Sequence, residues 1–234
     1  MNRDMDQQEG IDWHPGDMPY SRRFGDHYYS NADGRGECEY VFLNGNGLPQ
    51  RWDDGADFLI AELGFGTGLN FCETWRHWKQ KQISNGRLTF VSFEKHLLGK
   101  SDISRALGVW PELALFSQQL LVHWSAATSA FVRIDFDDTI ALELHVGDVH
   151  DCLPGWKDAA NAWFLDGFAP ARNPDMWSAE LMSAVYQHTV PGGSVATYTS
   201  AGWVRRNLEA AGYAVEKRPG FGGKREMTVG TRRE

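Results

Sequence analysis

Short apolar runs alternate with segments of helical spacing from residue 58 onward. The runs that predict strands are residues 58–61, 88–93, 162–165, 193–198, 213–217 and 226–230. The segments that predict helices are residues 69–81, 99–107, 111–122, 178–188 and 202–211. Two further β-prone runs, 131–136 and 139–146, predict a hairpin. Strands that alternate with helices predict an α/β fold with a mixed, mostly parallel sheet.

The first 57 residues lack this alternation. Residues 1–19 are polar, contain Pro15 and Pro19, and predict a flexible tail. Between residues 20 and 57, aromatic runs are separated by turn sequences around Asp33-Gly34 and Asn44-Gly45, which are typical of hairpins. We therefore expect a small N-terminal β appendage over 20–57, followed by one main domain over 58–234.

Composition restricts the class of protein. Hydrophobic residues make up 42% and charged residues 23%, which are ordinary globular values. The net charge is −8, yet residues 201–234 hold 8 Lys/Arg against 4 Asp/Glu. This basic end allows a local anionic partner, although a solvated surface is the simpler interpretation. The three cysteines form no paired spacing, and no apolar stretch is long enough for a membrane span. We expect a cytoplasmic protein with no membrane partner.

A glycine-rich motif, Glu62-Leu63-Gly64-Phe65-Gly66-Thr67-Gly68, lies between the first predicted strand of the main domain and its helix. Its glycines allow a sharp turn and a close approach of ligand to backbone. A dinucleotide-binding fingerprint would need Gly or Ala at Leu69, so that assignment fails. The alternating glycines after an acidic strand end resemble motif I of S-adenosylmethionine-dependent methyltransferases. A tight strand–helix turn without a ligand is the alternative.

Three further acids follow predicted strands: Glu94, Asp148 and Asp166. Ligands of an open parallel sheet bind at the carboxyl ends of its strands. There, Glu94 is placed to accept the hydroxyls of a ribose and Asp148 to contact an adenine. Asp166 begins the sequence Asp-Gly-Phe-Ala-Pro and is the candidate for handling a nucleophile. Each acid alone also fits a solvated strand end.

A basic, glycine-rich segment lies near the C-terminus. Lys217, Arg218, Lys224 and Arg225 surround Phe221 over residues 217–227. Cations suit nucleic-acid phosphates, and an aromatic ring suits an unstacked base. The alternative is a solvated hairpin.

Several strings together resemble the methyltransferase module of the MnmC family, including its stand-alone form, MnmD. They are residues 62–71, 92–95, 162–177, 199–206 and 220–227, with a further similarity over 21–30. The resemblance implies a Rossmann-like class I methyltransferase with seven strands, of which only the last is antiparallel. It also implies S-adenosyl-L-methionine as cofactor and methylation of the 5-aminomethyl group of a wobble uridine in tRNA. The product is 5-methylaminomethyl-2-thiouridine.

From these motifs and the resemblance together, we predict two sets of site residues. The cofactor residues are Glu62, Gly64, Phe65, Gly66, Thr67, Gly68, Asn70, Glu94, Lys95, Asp148 and Asp166. The tRNA residues are Phe168, Arg172, Trp177, Arg205, Arg206, Phe221, Lys224 and Arg225. The aromatic members are candidates for stacking on a flipped-out base, with core packing equally favoured for Trp177. Asp166 is the catalytic candidate. We expect it to orient the amine rather than deprotonate it, because a carboxylate of ordinary pKa is a poor base for an ammonium.

The predicted function implies particular partners, and two alternative functions remain open. We expect the anticodon region of tRNA as partner, and a separate oxidase or tRNA-modification enzyme that supplies the aminomethyl intermediate. No FAD and no metal are expected, because the chain ends at Glu234 without an oxidase domain and its histidines form no evident ligand cluster. One alternative is a methyltransferase that acts on a protein or a small amine. Another is a catalytically silent tRNA-binding module that retains the cofactor fold.

Overall fold

The computed structural model describes residues 10–83, 85–124 and 129–234. The N-terminal region begins with a small antiparallel sheet of β1 (Ile11–His14), β2 (Met18–Ser21) and β3 (Asp26–His27). The flexible tail expected over 1–19 is therefore wrong for residues 11–19, because β1 pairs with β2. Residues 1–9 of that prediction lie outside the described residues.

The segment that follows is helical rather than β. It consists of α1 (Gly34–Glu37), a π-helical turn Cys38–Leu43 and two 3₁₀ turns, Asn44–Asn46 and Gln50–Trp52. The hairpins expected here are wrong for a packing reason, since helical spacing lets this segment turn several apolar side chains onto one core. Those buried side chains are Cys38, Val41, Phe42, Leu43, Leu48 and Trp52. Gly47, with φ 70°, ends a 3₁₀ turn and does not close a hairpin.

In the part of the chain that the structure describes, the main sheet has eight strands. The first part of the domain contains β4 (Phe58–Leu63), α2 (Leu69–Lys81), β5 (Leu88–Glu94), α3 (Lys100–Leu107), the 3₁₀ turn Pro111–Leu113 and α4 (Ala114–His123). The next part contains β6 (Phe131–Asp137), β7 (Ile140–Val146), α5 (Val149–Cys152) and the 3₁₀ turn Leu153–Gly155. The last part contains β8 (Ala160–Leu165), the 3₁₀ turn Pro174–Trp177, α6 (Ala179–Gln187), β9 (Thr189–Thr197), α7 (Gly202–Ala211), β10 (Ala214–Pro219) and β11 (Glu226–Thr231). The strand order is β10-β11-β9-β8-β4-β5-β7-β6. Helices α2 and α7 have the predicted bounds.

Five neighbouring strands, β9, β8, β4, β5 and β7, run parallel, which confirms the mixed, mostly parallel sheet. The expected count of seven strands, with only the last antiparallel, is wrong by one edge strand. Besides the antiparallel β11, strand β6 pairs antiparallel with β7. The reason is the short connection between β6 and β7, since a tight turn can join only antiparallel neighbours.

The central strands are buried on both faces, as expected for a parallel sheet covered by helices. One face contributes Ile60, Phe90 and Phe164 to a core shared with α2 and the helical N-terminal segment. The other face contributes Val91 and Trp163 to a core with α6 and α7. The polar carboxyl ends of the strands therefore emerge together at one edge. Within the described residues, no helix is long and apolar enough to cross a membrane.

Candidate active site

A cavity of about 1160 Å³ opens at the carboxyl ends of the parallel strands. Its walls come from the glycine-rich loop after β4, the ends of β5, β7, β8 and β9, and residues 23–24 and 26–32 of the N-terminal region. Open α/β sheets bind ligands at this edge. The sheet topology thus brings together acids that are far apart in sequence.

The glycine-rich loop has the conformation that its sequence predicts. Gly64 and Gly66 have φ values of 87° and 52°, which L side chains rarely adopt. A Cβ on Gly64 would lie 3.5 Å from Cα of Gly167, and one on Gly66 would lie 3.3 Å from the ring of Tyr28. Gly64, Phe65, Gly66 and Thr67 line the cavity, although the Phe65 ring itself stacks on Trp124 in the core. Gly68 lies behind the wall, where it precedes α2.

The acids at the ends of β5 and β7 also line this part of the cavity. The Oε2 atom of Glu94 accepts the Gly66 N–H at 3.1 Å, so this carboxylate fixes the glycine-rich loop. Lys95 Nζ lies 2.8 Å from Oδ2 of Asp148, and Asp148 also caps α5. The Lys95 ammonium holds the pKa of Asp148 below its usual value. Both predicted acids and Lys95 therefore face one region of the cavity.

Glu62 has a different position from the one predicted. Its side chain is fully buried beneath the cavity wall, where Oε1 accepts from Asn70 Nδ2 at 2.9 Å and Oε2 accepts from Ser92 at 2.7 Å. Burial raises the pKa of Glu62 to about 8. In this structure Glu62 supports Asn70, which lines the cavity, instead of facing a ligand itself.

Asp166 lines the cavity directly after β8. Its Oδ1 accepts the Gly167 N–H at 2.8 Å, and its Oδ2 accepts from Asn70 Nδ2 at 2.7 Å. Burial raises the pKa of Asp166 to about 7, even though both hydrogen bonds favour the charged form. The expectation of an ordinary carboxyl pKa is therefore wrong. A carboxyl group near neutrality is a much better proton acceptor for an amine.

Of the three aromatic residues predicted to stack on a base, only Phe168 lines the cavity. Its ring stacks on Phe24, with ring centroids 4.4 Å apart. Trp177 is fully buried, and its indole N–H donates to the Phe168 carbonyl at 3.1 Å. The proposed stacking role of Trp177 is therefore wrong, because its ring belongs to the core. Phe221 packs near Tyr40 and Gly36, outside the cavity wall.

The predicted cations divide into two groups. Lys224 reaches the cavity wall, where its Nζ lies 2.6 Å from Oε1 of Glu37. The others lie outside the wall: Arg172, Arg205, Arg206 and Arg225. Arg172, Arg206 and Arg225 are exposed, and Arg205 lies 3.8 Å from Glu209 on α7. A tRNA contact by this second group would lie on the surface rather than at the reacting atoms.

The sequence pattern did not identify several cavity residues from the N-terminal region. Arg23, Phe24, Asp26 and Glu37 all line the cavity. Asp26 Oδ2 accepts the Ala169 N–H at 3.0 Å, which ties β3 to the loop after Asp166. The first three of these residues lie within residues 21–30, where the sequence resembles the MnmC family. That resemblance assigned no functional role to them. The N-terminal region thus forms one wall of the site.

One group of potential metal ligands occurs among the described residues, contrary to the expectation that the histidines form none. Ligand atoms of Glu39, Glu73 and His77 lie within 4.8 Å of one another. Glu73 already accepts two hydrogen bonds from Arg76, at 2.6 and 2.9 Å. The Arg76 guanidinium therefore supplies the positive charge that the buried Glu73 carboxylate needs. None of these four residues lines the cavity.

Comparison with known proteins identifies a family. A family model described as S-adenosyl-L-methionine-dependent methyltransferase matches residues 111–233. The chain is 46% identical, over 92% of its length, to the "tRNA 5-methylaminomethyl-2-thiouridine biosynthesis bifunctional protein MnmC" of Caulobacter vibrioides. It is 45% identical, over 94% of its length, to the protein of the same name from Pseudomonas fluorescens. These matches span 36% and 34% of the two relatives, about a third of their length.

A solved structure supports the same fold. The crystal structure of MnmC2 from Aquifex aeolicus superposes with a TM-score of 0.74 at 22% identity, covering 96% of this chain and 71% of that chain. The Rossmann-like methyltransferase fold is therefore confirmed. The resemblance of the sequence motifs to the MnmC methyltransferase part is confirmed as well, by the identities of about 45%.

The cavity fits the cofactor of this family. S-adenosylmethionine, when bound, supplies a methyl group on a positively charged sulfur. The wall carries an excess of carboxylates, namely Asp26, Glu37, Glu94, Asp148, Asp166, Asp175 and Glu180. The glycine-rich loop would hold the amino-acid end, and Glu94 and Asp148 the nucleoside. The chain belongs to the family of S-adenosyl-L-methionine-dependent methyltransferases.

Proposed function

We propose that this chain transfers a methyl group from S-adenosylmethionine to the 5-aminomethyl group of a modified wobble uridine in tRNA. The observation that carries the proposal is the identity of about 45%, across almost the whole chain, to proteins named for 5-methylaminomethyl-2-thiouridine biosynthesis. The proposed product is 5-methylaminomethyl-2-thiouridine. Because tRNA is the proposed substrate, we expect the reaction to take place in the cytoplasm.

The geometry around Asp166 supports an amine as the methyl acceptor. An alkylammonium has no lone pair, and amines of this type titrate near ~10, much like Lys. Because its pKa is raised to about 7, Asp166 reduces the difference in pKa between the ammonium that donates the proton and the carboxylate that accepts it. Asn70 and Gly167 hold the two carboxyl oxygens in fixed directions. We therefore assign Asp166 both to the orientation of the amine and to the removal of its proton.

Substrate docking is proposed on the surface next to the cavity. Exposed Arg172, Arg206 and Arg225 are available for phosphates of the anticodon region. Phe168 and Phe24, already stacked on each other, present aromatic surface where a flipped-out base would enter.

The aminomethyl group that this cavity would methylate has to be generated by a different reaction. The relatives are named bifunctional, and this chain matches about a third of their length. We propose that a separate oxidase or tRNA-modification activity generates the amine that this cavity consumes.

Methyl transfer with three acceptors tests the proposal against its alternatives. The acceptors are tRNA that contains 5-aminomethyl-2-thiouridine, the same tRNA with an unmodified wobble uridine, and a mixture of small amines and cell proteins. We expect label from the cofactor only in the first. Equal labelling of proteins or small amines would favour the alternative substrate class. Tight tRNA binding without any transfer would favour the silent binding module.

A further inference from the structure

A charged pair, Glu37 and Lys224, lines the same cavity as Asp166. Lys224 Nζ lies 2.6 Å from Oε1 of Glu37 and 4.3 Å from the ring centroid of Tyr198. The Tyr198 hydroxyl donates to the Gly167 carbonyl at 2.8 Å, directly after Asp166. Glu37, Asp166, Tyr198 and Lys224 all line the same cavity. Four separate segments thus converge on one small charged cluster.

The arrangement fixes the Lys224 ammonium rather than leaving it to move freely. Its carboxylate partner is only 10% exposed, whereas the Lys224 side chain is 42% exposed. An ammonium held between a carboxylate and an aromatic face gains both a charge-assisted hydrogen bond and a cation–π contact. A lysine that serves mainly as a phosphate contact needs neither partner.

The balance of charge near the acceptor amine depends on this pair. Without Lys224, an incoming ammonium would face two carboxylates, Glu37 and Asp166, and two negative charges would hold its proton in place. With Lys224 bound to Glu37, the three charged groups Glu37, Lys224 and Asp166 together carry a net charge of −1 instead of −2. The titratable groups that influence this cluster are Asp26, Glu37, Cys38, Glu62, Asp166, Tyr198 and Lys224.

We infer that Glu37 and Lys224 are a charge-balancing pair of positioning residues: Lys224 neutralises Glu37, so that Asp166 is the uncompensated carboxylate of this cluster and the acceptor amine can release its proton to it. The inference rests on the proposed amine substrate. It also reassigns Lys224, because the sequence alone predicted a contact with tRNA.

The reaction balances without any further reagent. The ammonium gives one proton to the Asp166 carboxylate, which becomes a carboxylic acid, and the amine regains its lone pair. The nitrogen lone pair then forms the new N–C bond to the methyl group, while the electron pair of the S–C bond returns to sulfur. The products are a secondary ammonium, S-adenosylhomocysteine and protonated Asp166. Glu37 and Lys224 keep their charges throughout.

Paired variants give opposite predictions for the pH dependence of the rate. Single-turnover methyl transfer to aminomethyl-containing tRNA would be measured across pH for each variant. Lys224→Met leaves the Glu37 carboxylate without its positive partner. The increase of the rate with pH should therefore occur about one pH unit higher than in wild type. Glu37→Gln should move it to lower pH, and the double variant Glu37→Gln/Lys224→Met should return it close to wild type. Lys224→Arg retains the charge and should leave the profile in place.

The carboxyl resonance of Asp166 gives a readout that needs no tRNA. Carbon-detected NMR titration of the complex with S-adenosylhomocysteine should show the pKa of Asp166 rise in Lys224→Met and fall in Glu37→Gln. Absent or same-direction shifts in both experiments would overturn the charge-balancing role. If the wild-type chain failed to methylate tRNA while the NMR shifts appeared, the proposed substrate would be wrong and the charge-balancing effect on Asp166 would stand.

The salt dependence of tRNA binding separates this role from a phosphate contact. Lys224→Met should leave the slope of log affinity against log salt unchanged, since its ammonium is already paired. A slope lowered by about 0.7–0.9, the value for one lost phosphate contact, would assign Lys224 to tRNA instead and overturn the inference.

Discussion

The side-chain amide of Asn70 lies 2.7 Å from Oδ2 of Asp166 and donates a hydrogen bond to it. The same Nδ2 group also contacts the buried Glu62 at 2.9 Å. Asn70 stands in the first turn of α2, whereas Asp166 follows β8. This contact therefore links the helix after the glycine-rich loop to the proposed catalytic carboxyl group, and it favours the charged form of Asp166.

Replacing Asn70 by Leu should raise the pKa of Asp166 further, since a hydrogen bond to the carboxylate is lost. The proposed methyl transfer needs the charged form of Asp166. The increase of the rate with pH should therefore occur at a higher pH than in wild type. At pH 6 we expect a rate about tenfold below that of wild type, which corresponds to the lower part of the range for a hydrogen bond to a charged group. An unchanged single-turnover pH profile would show that Asn70 does not act through Asp166.

Glu94→Ala should weaken binding of S-adenosylhomocysteine by roughly 1.5–3 kcal/mol, the range for a hydrogen bond to a charged group. The variant loses a proposed contact to the ribose and also the acceptor for the Gly66 N–H. Calorimetry measures this directly, and NADH should not bind to either protein. Glu216→Ala, a change of an exposed carboxylate on β10, serves as the control. Equal affinity in Glu94→Ala and wild type would remove Glu94 from the site.

Glu62 makes stability depend on pH. Its pKa is about 8 in the folded chain against an ordinary 4.5, so the folded state retains a proton that the unfolded state has lost between these values. The free energy of unfolding should therefore fall as pH rises from about 5 to 8. Glu62→Gln removes this titration and should raise stability at pH 8 by on the order of 2 kcal/mol.

Urea unfolding at pH 5 and pH 8 tests this sign. The Glu62→Gln chain should show the smaller decrease between the two pH values, whereas the exposed control Glu216→Gln should behave like wild type. A larger decrease in Glu62→Gln would mean that Glu62 is charged in the folded chain.

The exposed cations should account for the salt dependence of tRNA binding. The double variant Arg206→Ala/Arg225→Ala should weaken binding and lower the slope of log affinity against log salt by about 0.7–0.9 for each lost phosphate contact. Arg133→Ala, on β6 at the opposite edge of the sheet, is the control. Identical slopes in all three proteins would place the tRNA elsewhere, for example on the N-terminal wall of the cavity.

The parallel core could be predicted from the sequence because its signals are local and strong. Helix α2 follows a strand and a glycine-rich turn, and Glu94 and Asp166 come directly after apolar runs. The segment from Gly34 to Trp52 could not be predicted in this way. Its Asn-Gly and Asp-Gly dipeptides fit hairpins and helix ends equally well, and the choice depended on burial against the sheet, a tertiary effect.

The electrostatics of the site could not be predicted from the local sequence pattern either. The local sequence predicts an ordinary pKa for a strand-end carboxyl group, whereas burial by distant segments, and to a lesser extent the charge of Glu37, raises the pKa of Asp166. The contact between Glu37 and Lys224 joins residues 187 positions apart in the chain. Such pairings follow from the fold and have no local signal in the sequence.

Nucleoside mass spectrometry of tRNA incubated with the chain and isotope-labelled S-adenosylmethionine tests the central claim most directly. The account predicts that the labelled methyl group appears in 5-methylaminomethyl-2-thiouridine, formed at the expense of 5-aminomethyl-2-thiouridine. Asp166→Ala should abolish this conversion while its affinity for S-adenosylhomocysteine stays within a few-fold of wild type. Label in a different nucleoside, or full conversion by Asp166→Ala, would contradict it.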